Sequence, residues 1–439
     1  MLSGLFRARQ IRILQGPLRS GPQIFRNRAT DALIVLDGLL VLAAVGLFAC
    51  TVFLTLVFVA ALRHLRKRMP RASVNPATPA VTLLKPLYGL EPNLEANLRS
   101  FFVQDYPDYE IIFGTRDLQD PALAIVRRLQ LQYPGIKTKI ITSGAPNRPN
   151  GKICSLEKMC AEASTPYLII SDSDVEVDRN YIHEVVRPLK DERVGLVTCL
   201  YRGVPTGGSW SGLEALGMSV EMTSGVLVAN MLEGMRFALG PTMAVRRDAL
   251  EKSGGIAELA DYCADDYVLG KRVFEAGYRV VLSDHVINHL VIGRSFRDSI
   301  AHQIRWMKST RFSRPAGHIG AGLTYAVPFG ILGALTALVA HQPWLAVIFL
   351  AWAIVNRSLL ALISGWLVVR DPRALRYCWL YAVRDFTGFC FWCASFFGNT
   401  IKWRAGERYR LVEDGKMIRI GGPANAKSSS GSVAVDNLA

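Results

Sequence analysis

The sequence lacks any regular spacing of cysteine, although it contains eight of these residues. Cys390 and Cys393 have the C-x-x-C spacing of a redox or metal pair, but they lie in an apolar run where chance explains the spacing. The chain therefore shows no pattern of a disulfide framework, which is consistent with a reducing compartment.

A phosphate-binding P-loop is also missing. The segment GAPNRPNGKICS resembles one, but six residues separate Gly144 from Gly151, and Ile153 stands where the motif requires Ser or Thr. We therefore exclude a Walker A site. Lys152 remains a candidate contact for a phosphate, because its ammonium group can bind one as a point charge.

Acidic residues are scarce relative to basic ones, with 36 Asp and Glu against 51 Lys and Arg, a formal net charge of +15. A basic chain can bind nucleic acid, but here the charge is dispersed and no nucleic-acid-binding motif is present. The mean hydropathy is +0.22 over 439 residues. The two properties together predict a membrane protein whose basic side chains lie at headgroups and phosphates.

Long apolar runs lie near the two ends of the chain. A basic tail over residues 1–30 precedes a predicted transmembrane helix over 31–62, and a basic, proline-containing linker follows over 63–80. Residues 317–400 contain three further apolar segments, which are Ile319–Ala340, Trp344–Trp366 and Tyr377–Phe397. The last two of these segments carry the pairs Asn356-Arg357 and Arg384-Asp385, whose ionisable side chains need partners or a polar cavity. Residues 401–439 are predicted to be a basic and then disordered tail.

Between these ends, residues 81–316 alternate short apolar runs with segments of helical periodicity. Five such runs are VTLLKPL, YEIIFGT, KTKIITS, YLIIS and VGLVTCLY. Strands that alternate with helices of this length predict an α/β domain around a mostly parallel, doubly wound sheet.

A basic amphipathic helix is predicted near residues 296–311, at the end of this domain. Its apolar face is formed by Phe296, Ile300, Ile304 and Met307, with basic side chains on either side. Such a helix is typical of the membrane interface, but an ordinary surface helix that buries its apolar stripe has the same pattern.

Carboxylates follow two of the predicted strands. Asp172 and Asp174 come directly after YLII, and ligands of open α/β sheets bind at the carboxyl ends of strands. Two carboxylates one residue apart predict a site for Mg²⁺ or Mn²⁺ on diphosphate oxygens. Asp117 and Asp120 follow the second run. We assign a helix cap to Asp120, since it precedes a proline, and a ligand role to Asp117.

Further along the chain, Asp265 and Asp266 open a predicted helix. Negative charge at a helix N-terminus is stabilising by itself, but one of these acids could also act as a general base. On the amphipathic helix, Arg305 offers a bidentate contact to phosphate and Trp306 a flat face to a sugar or lipid. The pair could equally be an interfacial anchor. His289 is kept as an accessory metal ligand.

These motifs together resemble the ceramide glucosyltransferase family, inverting enzymes with the GT-A fold. The resemblance rests on LLKPLYGLEPNLEANLRSFFVQDYPDYE, on the order of the acidic sites and an Arg-Trp motif, and on TIKWRAGERYRL. It covers roughly Val81 to Leu411. It implies nucleotide binding by Asp117, a metal-diphosphate role for Asp172, catalysis by Asp266 as base, and donor contacts by Arg305 and Trp306. His302 departs from the family motif, where Gln or Arg stands.

The resemblance implies a function in lipid glycosylation. A UDP-sugar would donate N-acetylglucosamine or glucose to a lipid hydroxyl with inversion of the anomeric carbon. The stretch RFSRPAGHIGAGLTYAVPFG is more similar to bacterial members tied to hopanoid biosynthesis, so a hopanoid polyol is the first acceptor and ceramide the alternative. A processive polysaccharide synthase is disfavoured by His302. A non-enzymatic membrane scaffold would have lost one of the acids.

Basic residues flank both sides of the first apolar run, so charge alone does not orient it. Nucleotide sugars are cytoplasmic, which places residues 81–316 on the cytoplasmic face of a multi-pass membrane protein, with the bacterial inner membrane expected. Three full crossings after that domain would put the basic tail outside. We therefore predict that Tyr377–Phe397 does not cross.

Overall fold

The computed structural model describes residues 23–66, 78–293, 295–402 and 406–421. Three parts of the predicted segments lie outside these ranges. They are residues 1–22 of the predicted tail, residues 67–77 of the predicted linker and residues 422–439 of the predicted C-terminal tail. The first helix, α1, extends from Gln23 to Arg66 and contains the predicted membrane helix. Its part Leu33–Arg66 reaches a mean hydropathy of 2.6 and is long enough to cross a bilayer.

The alternation predicted from Val81 onward is confirmed in every one of its five apolar runs. Apart from short 3₁₀ turns, the elements are β1 (Val81–Pro86), α2 (Leu94–Phe102), β2 (Tyr109–Thr115), α3 (Ala122–Gln132), β3 (Lys137–Thr142), α4 (Gly151–Glu162), β4 (Tyr167–Ser171), β5 (Val175–Glu176), α5 (Tyr181–Val186) and β6 (Val194–Pro205).

The second half of the domain is less regular. It consists of α6 (Ser209–Gly217), a π-helical turn (Met218–Met222), α7 (Thr223–Glu233), β7 (Thr242–Arg246), α8 (Arg247–Lys252), α9 (Asp265–Glu275), β8 (Arg279–Val291) and α10 (Phe296–Ser313).

The eight strands form one sheet in the order β3-β2-β1-β4-β7-β6-β8-β5. Only β7 and β5 are antiparallel to their neighbours, so the other six strands share one direction. The predicted fold class is confirmed, because the chain forms an α/β domain of the GT-A arrangement around a mostly parallel sheet, with apolar helices before and after it. The carboxyl ends of β1, β2 and β4 consequently meet at one edge.

Helices on both faces explain the near-continuous apolar runs of the central strands. Four of the five residues of β4 and five of the six of β1 are buried, whereas the edge strand β3 alternates exposed and half-buried positions. Lys85 is the exception in the centre of the sheet, since its side chain is fully buried among apolar neighbours.

A long helical stretch follows β6 and packs against the N-terminal helix. Ser209–Glu233 is continuous across the π-helical turn, and it is apolar and long enough to count as a membrane-span candidate. Its residues Leu216, Val220 and Val228 form one buried cluster with Val57 of α1. The α/β domain and the N-terminal apolar helix therefore share a buried cluster.

The C-terminal segments are helical. They consist of α11 (Pro315–Ala321), α12 (Ala326–Val339), α13 (Pro343–Leu360) continued by a π-helical segment (Ala361–Val368), α14 (Pro372–Arg376) and α15 (Tyr381–Ser395). Pro343–Val368 is long enough to cross a bilayer, and α11 and α12 form a pair bent by 47°. With 15 residues, α15 is shorter than the roughly 20 residues that a span needs. That Tyr377–Phe397 does not cross stays a prediction.

The charged residues inside these apolar segments have the partners that burial requires. Arg357 Nη1 lies 3.0 Å from Asp385 Oδ1, and Arg384 Nη2 lies 2.7 Å from Glu221 Oε2. Both pairs join helices that are distant in sequence, because a buried charge is costly unless an opposite charge compensates it.

Part of the stretch predicted as a tail is folded. β9 (Thr400–Lys402), β10 (Arg408–Leu411) and β11 (Met417–Gly421) form a small antiparallel sheet. The Cys263 amide donates to the Gly415 carbonyl at 3.0 Å, and the Met417 amide to the Asp261 carbonyl at 2.7 Å. The small sheet is thus fastened to the loop that leads into α9.

Candidate functional site

Acidic and basic side chains from distant parts of the chain meet at the carboxyl edge of the sheet. Lys152, on the first turn of α4, lies between two of the acids. Its Nζ is 2.7 Å from Asp172 Oδ1 after β4 and 3.5 Å from Asp265 Oδ2 at the start of α9. Burial lowers the pKa of Lys152, but these two carboxylates outweigh it and raise the pKa above its usual value. Lys152 is therefore a cation at the centre of the site.

Asn150, which the sequence analysis missed, aligns this group. Its side-chain oxygen accepts the backbone N–H groups of Lys152 and Ile153 and so caps α4. Its side-chain nitrogen donates to Asp265 Oδ1 at 3.2 Å. An Asn just before a predicted helix is an ordinary N-cap signal, and it could have been read from the sequence.

Asp266 faces the loop before β7. Its Oδ2 accepts the Gly240 N–H at 2.7 Å, and its Oδ1 accepts the Tyr267 N–H at 2.8 Å. Burial and the neighbouring Asp265 raise the pKa of Asp266 to about 6. A carboxyl group with such a pKa can take up a proton near neutral pH.

The charges of three of the predicted acids act on Tyr201, a buried residue of β6. Burial raises the pKa of Tyr201 well above its usual value, and the charges of Asp266, Asp174 and Asp172 raise it further. Nothing in the sequence distinguishes Tyr201 from an ordinary core aromatic.

His289 of β8 is also placed in the site, as the accessory role predicted for it requires. Its Nε2 lies 3.2 Å from Asp174 Oδ2, and its ring packs edge-on against Tyr201 at 5.3 Å between centroids. Burial lowers the pKa of His289, while the charges of Asp174 and Asp172 produce a net rise.

Asp117 is the predicted residue that the structure does not bring into this cluster. It follows β2 at the same edge, but it is exposed, and its carboxylate accepts the Gln119 N–H at 2.8 Å. Over the described residues, its hydrogen bonds with Thr115, Gln119 and Asp120 are local to that loop. Asp120 takes the capping position, since its Oδ1 accepts the Ala122 N–H at 2.9 Å at the start of α3.

The buried side chains of helix α10 are polar and do not belong to its apolar stripe. Ser299 and Gln303 are its buried residues, whereas Phe296 is 48% exposed and Ile300, Ile304 and Met307 are half-buried. The apolar stripe is therefore only partly covered by the rest of the chain. Contact of this stripe with a membrane interface stays a prediction.

The polar face of α10 contacts Glu214 of α6, a second residue that the sequence analysis missed. The Ser299 hydroxyl donates to Glu214 Oε2 at 2.7 Å, and His302 Nδ1 lies 2.9 Å from Glu214 Oε1. The His302 ring also packs on Trp306 at 4.5 Å between centroids. His302 thus helps to fix Trp306.

Arg305 lies on the same helix, one turn beyond His302. Its charge acts on the thiol of buried Cys263, as do the charges of Asp265 and Asp266. Burial is the larger effect and raises the pKa of Cys263 to about 11. Arg305 and the two acids of α9 thus act on the same buried thiol.

The carboxylates fit a divalent cation only together with a bound diphosphate. Over the described part of the chain, no group of three or more His, Cys, Asp or Glu is arranged to hold a metal ion. Asp172 and Asp174 supply hard oxygen donors, and the side chain of Asp172 is 30% exposed towards the cleft. One or two carboxylates plus substrate phosphates are the usual ligands of Mg²⁺ in such sites.

Comparison with known sequences gives a match over most of the chain. The model of the family described as Glycosyl transferase family 21 matches residues 39–417. Ceramide glucosyltransferase 1 of Caenorhabditis elegans is 25% identical over 390 residues, which cover 87% of this chain and 82% of that protein. Ceramide glucosyltransferase of Komagataella phaffii is 34% identical over 116 residues, 26% of this chain and 22% of that protein.

Comparison with solved structures gives more distant likenesses. Mannosyltransferase PcManGT from Pyrobaculum calidifontis, in complex with GDP-Man and Mn²⁺, has 19% identity and a TM-score of 0.48, covering 82% of this chain and 99% of that one. Glucosyl-3-phosphoglycerate synthase from Mycobacterium tuberculosis, with Mn²⁺, UDP-glucose and phosphoglyceric acid, has 18% identity and a TM-score of 0.37, covering 55% and 86%.

Proposed function

Because the chain belongs to glycosyl transferase family 21, we propose that it transfers one hexose from a UDP-sugar to the hydroxyl group of a membrane lipid. The observation that carries this proposal is the group formed by Asp172, Lys152 and Asp265, with Asp266 adjacent in the chain. These side chains would bind a diphosphate and supply a base, and the same chain contains helices long and apolar enough to cross a bilayer.

The relatives reverse the order of the two acceptors that the sequence left open. The Caenorhabditis elegans relative, of which this chain covers 82%, is named for glucosylation of ceramide. This favours glucose as the donor sugar and a ceramide-type lipid as the acceptor. A hopanoid polyol, the first acceptor expected from the sequence, becomes the second candidate.

In the proposed mechanism Asp266 removes the proton from the acceptor hydroxyl. The oxygen attacks the anomeric carbon from the side opposite the diphosphate, the bond from that carbon to the phosphate oxygen breaks, and UDP leaves with the bonding electrons. The anomeric centre is inverted. Asp266 suits this role, because its backbone hydrogen bonds fix its direction and its raised pKa makes it a stronger base than an exposed carboxylate.

The leaving UDP needs positive charge. Lys152 supplies one buried ammonium group, and we assign Arg305 as a second contact and Trp306 as a flat surface for the sugar. Asp172 and Asp174 would hold Mg²⁺ or Mn²⁺, with His289 accessory, and the ion would neutralise charge on the diphosphate. Asp117 would contact the nucleotide, and Asp265 and His302 would orient Lys152 and Trp306.

We further propose that the protein is integral to the membrane, with residues 81–316 as the catalytic domain on the cytoplasmic side, where UDP-sugars are found. The tail over 1–30, the helix over 31–62, the linker over 63–80 and the segments over 317–400 would be its membrane-associated parts. The last turn of α1 is basic, with Arg63, His64 and Arg66, which agrees with this orientation.

The test uses the purified full chain in lipid nanodiscs. UDP-glucose and UDP-N-acetylglucosamine are each offered with ceramide or with a hopanoid polyol, and the lipid product is analysed by mass spectrometry. We expect one β-linked glucose on ceramide. A product with many sugars would indicate a processive synthase, and absence of UDP release with every pair would reject the enzymatic function.

A further inference from the structure

A buried lysine donates hydrogen bonds to the turn that carries the two candidate metal ligands, Asp172 and Asp174. The side chain of Lys85 on β1 is fully buried, and its Nζ donates to the Asp172 carbonyl oxygen at 2.5 Å and to the Ser171 hydroxyl at 3.3 Å. The ammonium group also lies 3.7 Å from the centroid of the Phe101 ring. Both hydrogen bonds reach across from β1 to the end of β4.

Two more side chains of the same α/β unit hold the next residue of the turn. Asn97 of α2, which is 1% exposed, donates from Nδ2 to the Ser173 carbonyl at 3.1 Å. The Ser173 hydroxyl donates to Glu91 Oε2 at 2.6 Å. Every residue from Ser171 to Ser173 is therefore held by a side chain from the segment between Lys85 and Asn97.

A buried lysine at this position lowers the free energy of unfolding unless its charge is compensated. Burying an ammonium group among apolar side chains costs free energy that a methionine of similar volume would not cost. Hydrogen bonds, the aromatic ring and the nearby acids compensate only part of this. A core that required packing alone would not need the charge, whereas a turn that must present two carboxylates in one direction gains a fixed main chain from it.

We propose that Lys85, Glu91 and Asn97 are positioning residues, which fix the main chain of Asp172–Asp174 so that both carboxylates point at the donor diphosphate. The inference rests on the proposed function, because it assigns these residues to binding of the UDP moiety with its cation. They act through the turn and do not touch the substrate themselves.

The test measures UDP binding directly, by calorimetry in the presence of Mn²⁺ and without acceptor, on the full chain in nanodiscs. Lys85→Met and Asn97→Ala each remove a buried hydrogen-bond donor, and Ser173→Ala removes the contact with Glu91. We expect each of the first two to weaken UDP binding by on the order of tenfold, while the KM for the lipid acceptor changes less than twofold.

Gln104→Met is the matched control. Gln104 is buried in the loop directly after α2 and donates to the carbonyls of Ser100 and Asp178, outside the Ser171–Ser173 turn. The Gln104→Met variant should have a lower melting temperature but should bind UDP as tightly as the wild type.

The outcomes distinguish failure of the positioning role from failure of the proposed function. UDP binding at the wild-type level in folded Lys85→Met and Asn97→Ala would overturn the positioning role, and so would an equal rise in the acceptor KM. If Lys85→Met does not fold, Asn97→Ala and Ser173→Ala decide the question by the same measurement. A wild-type chain that binds no UDP with Mn²⁺ would instead reject the proposed function.

Discussion

Replacement of Lys152 by methionine tests the electrostatics of the cleft. The ammonium group lies between Asp172 and Asp265, and these side chains are 24%, 30% and 11% exposed, respectively. Removing one preorganised group that stabilises developing negative charge costs about 3 kcal/mol of transition-state stabilisation. A loss of about 3 kcal/mol of transition-state stabilisation corresponds to a decrease in kcat/KM on the order of 100-fold.

The assay follows UDP release at varied donor and acceptor concentrations, with circular dichroism to verify folding. Lys152→Arg keeps the charge and should retain more activity than Lys152→Met. Lys158→Met is the control, because Lys158 lies on the same helix but is exposed and contacts the Ser143 carbonyl. A kcat/KM of Lys152→Met within fivefold of wild type would refute the idea that this ammonium group stabilises the leaving diphosphate.

Two further predictions concern pH and the C-terminal sheet. The carboxyl of Asp266 has a pKa near 6 and must be unprotonated to accept a proton, so kcat should fall as the pH decreases through about 6; a flat profile between pH 5 and 8 would argue against Asp266 as base. Leu411→Ala should lower the free energy of unfolding by about 2–5 kcal/mol, because Leu411 is fully buried against Cys263 and Tyr409. An unchanged melting temperature would contradict that packing.

Periodicity predicted the α/β domain because it reports local burial. The central strand runs, such as those of β1 and β4, are apolar on both faces, and the helices between the strands have one apolar side. The acids at strand ends were found for a related reason, since parallel strands bring their carboxyl ends to one edge. Asp172, Asp174 and Asp266 meet there, whereas Asp117 lies on an outer loop whose direction no local pattern determines.

Other features depend on contacts between distant segments. Glu214 on an apolar helix and Lys85 in an apolar strand are single charged residues in such runs, and that is a usable signal, but their partners His302 and Ser171 lie 88 and 86 residues away. The contacts of Ser299 and His302 with Glu214 orient α10, and the periodicity of its apolar stripe does not reveal them. The small C-terminal sheet forms because backbone groups near Cys263 pair with it.

The most direct test of the central claim compares donor binding with sugar transfer in Asp266→Asn. The substitution preserves the size of the side chain but removes its capacity to accept a proton, so calorimetric UDP binding with Mn²⁺ should stay within threefold of wild type. Transfer of the sugar to lipid should fall by roughly 10²–10⁴-fold. Asp108→Asn, at an exposed position, is the control. Transfer at the wild-type rate in Asp266→Asn would contradict the assignment of this carboxylate as the base.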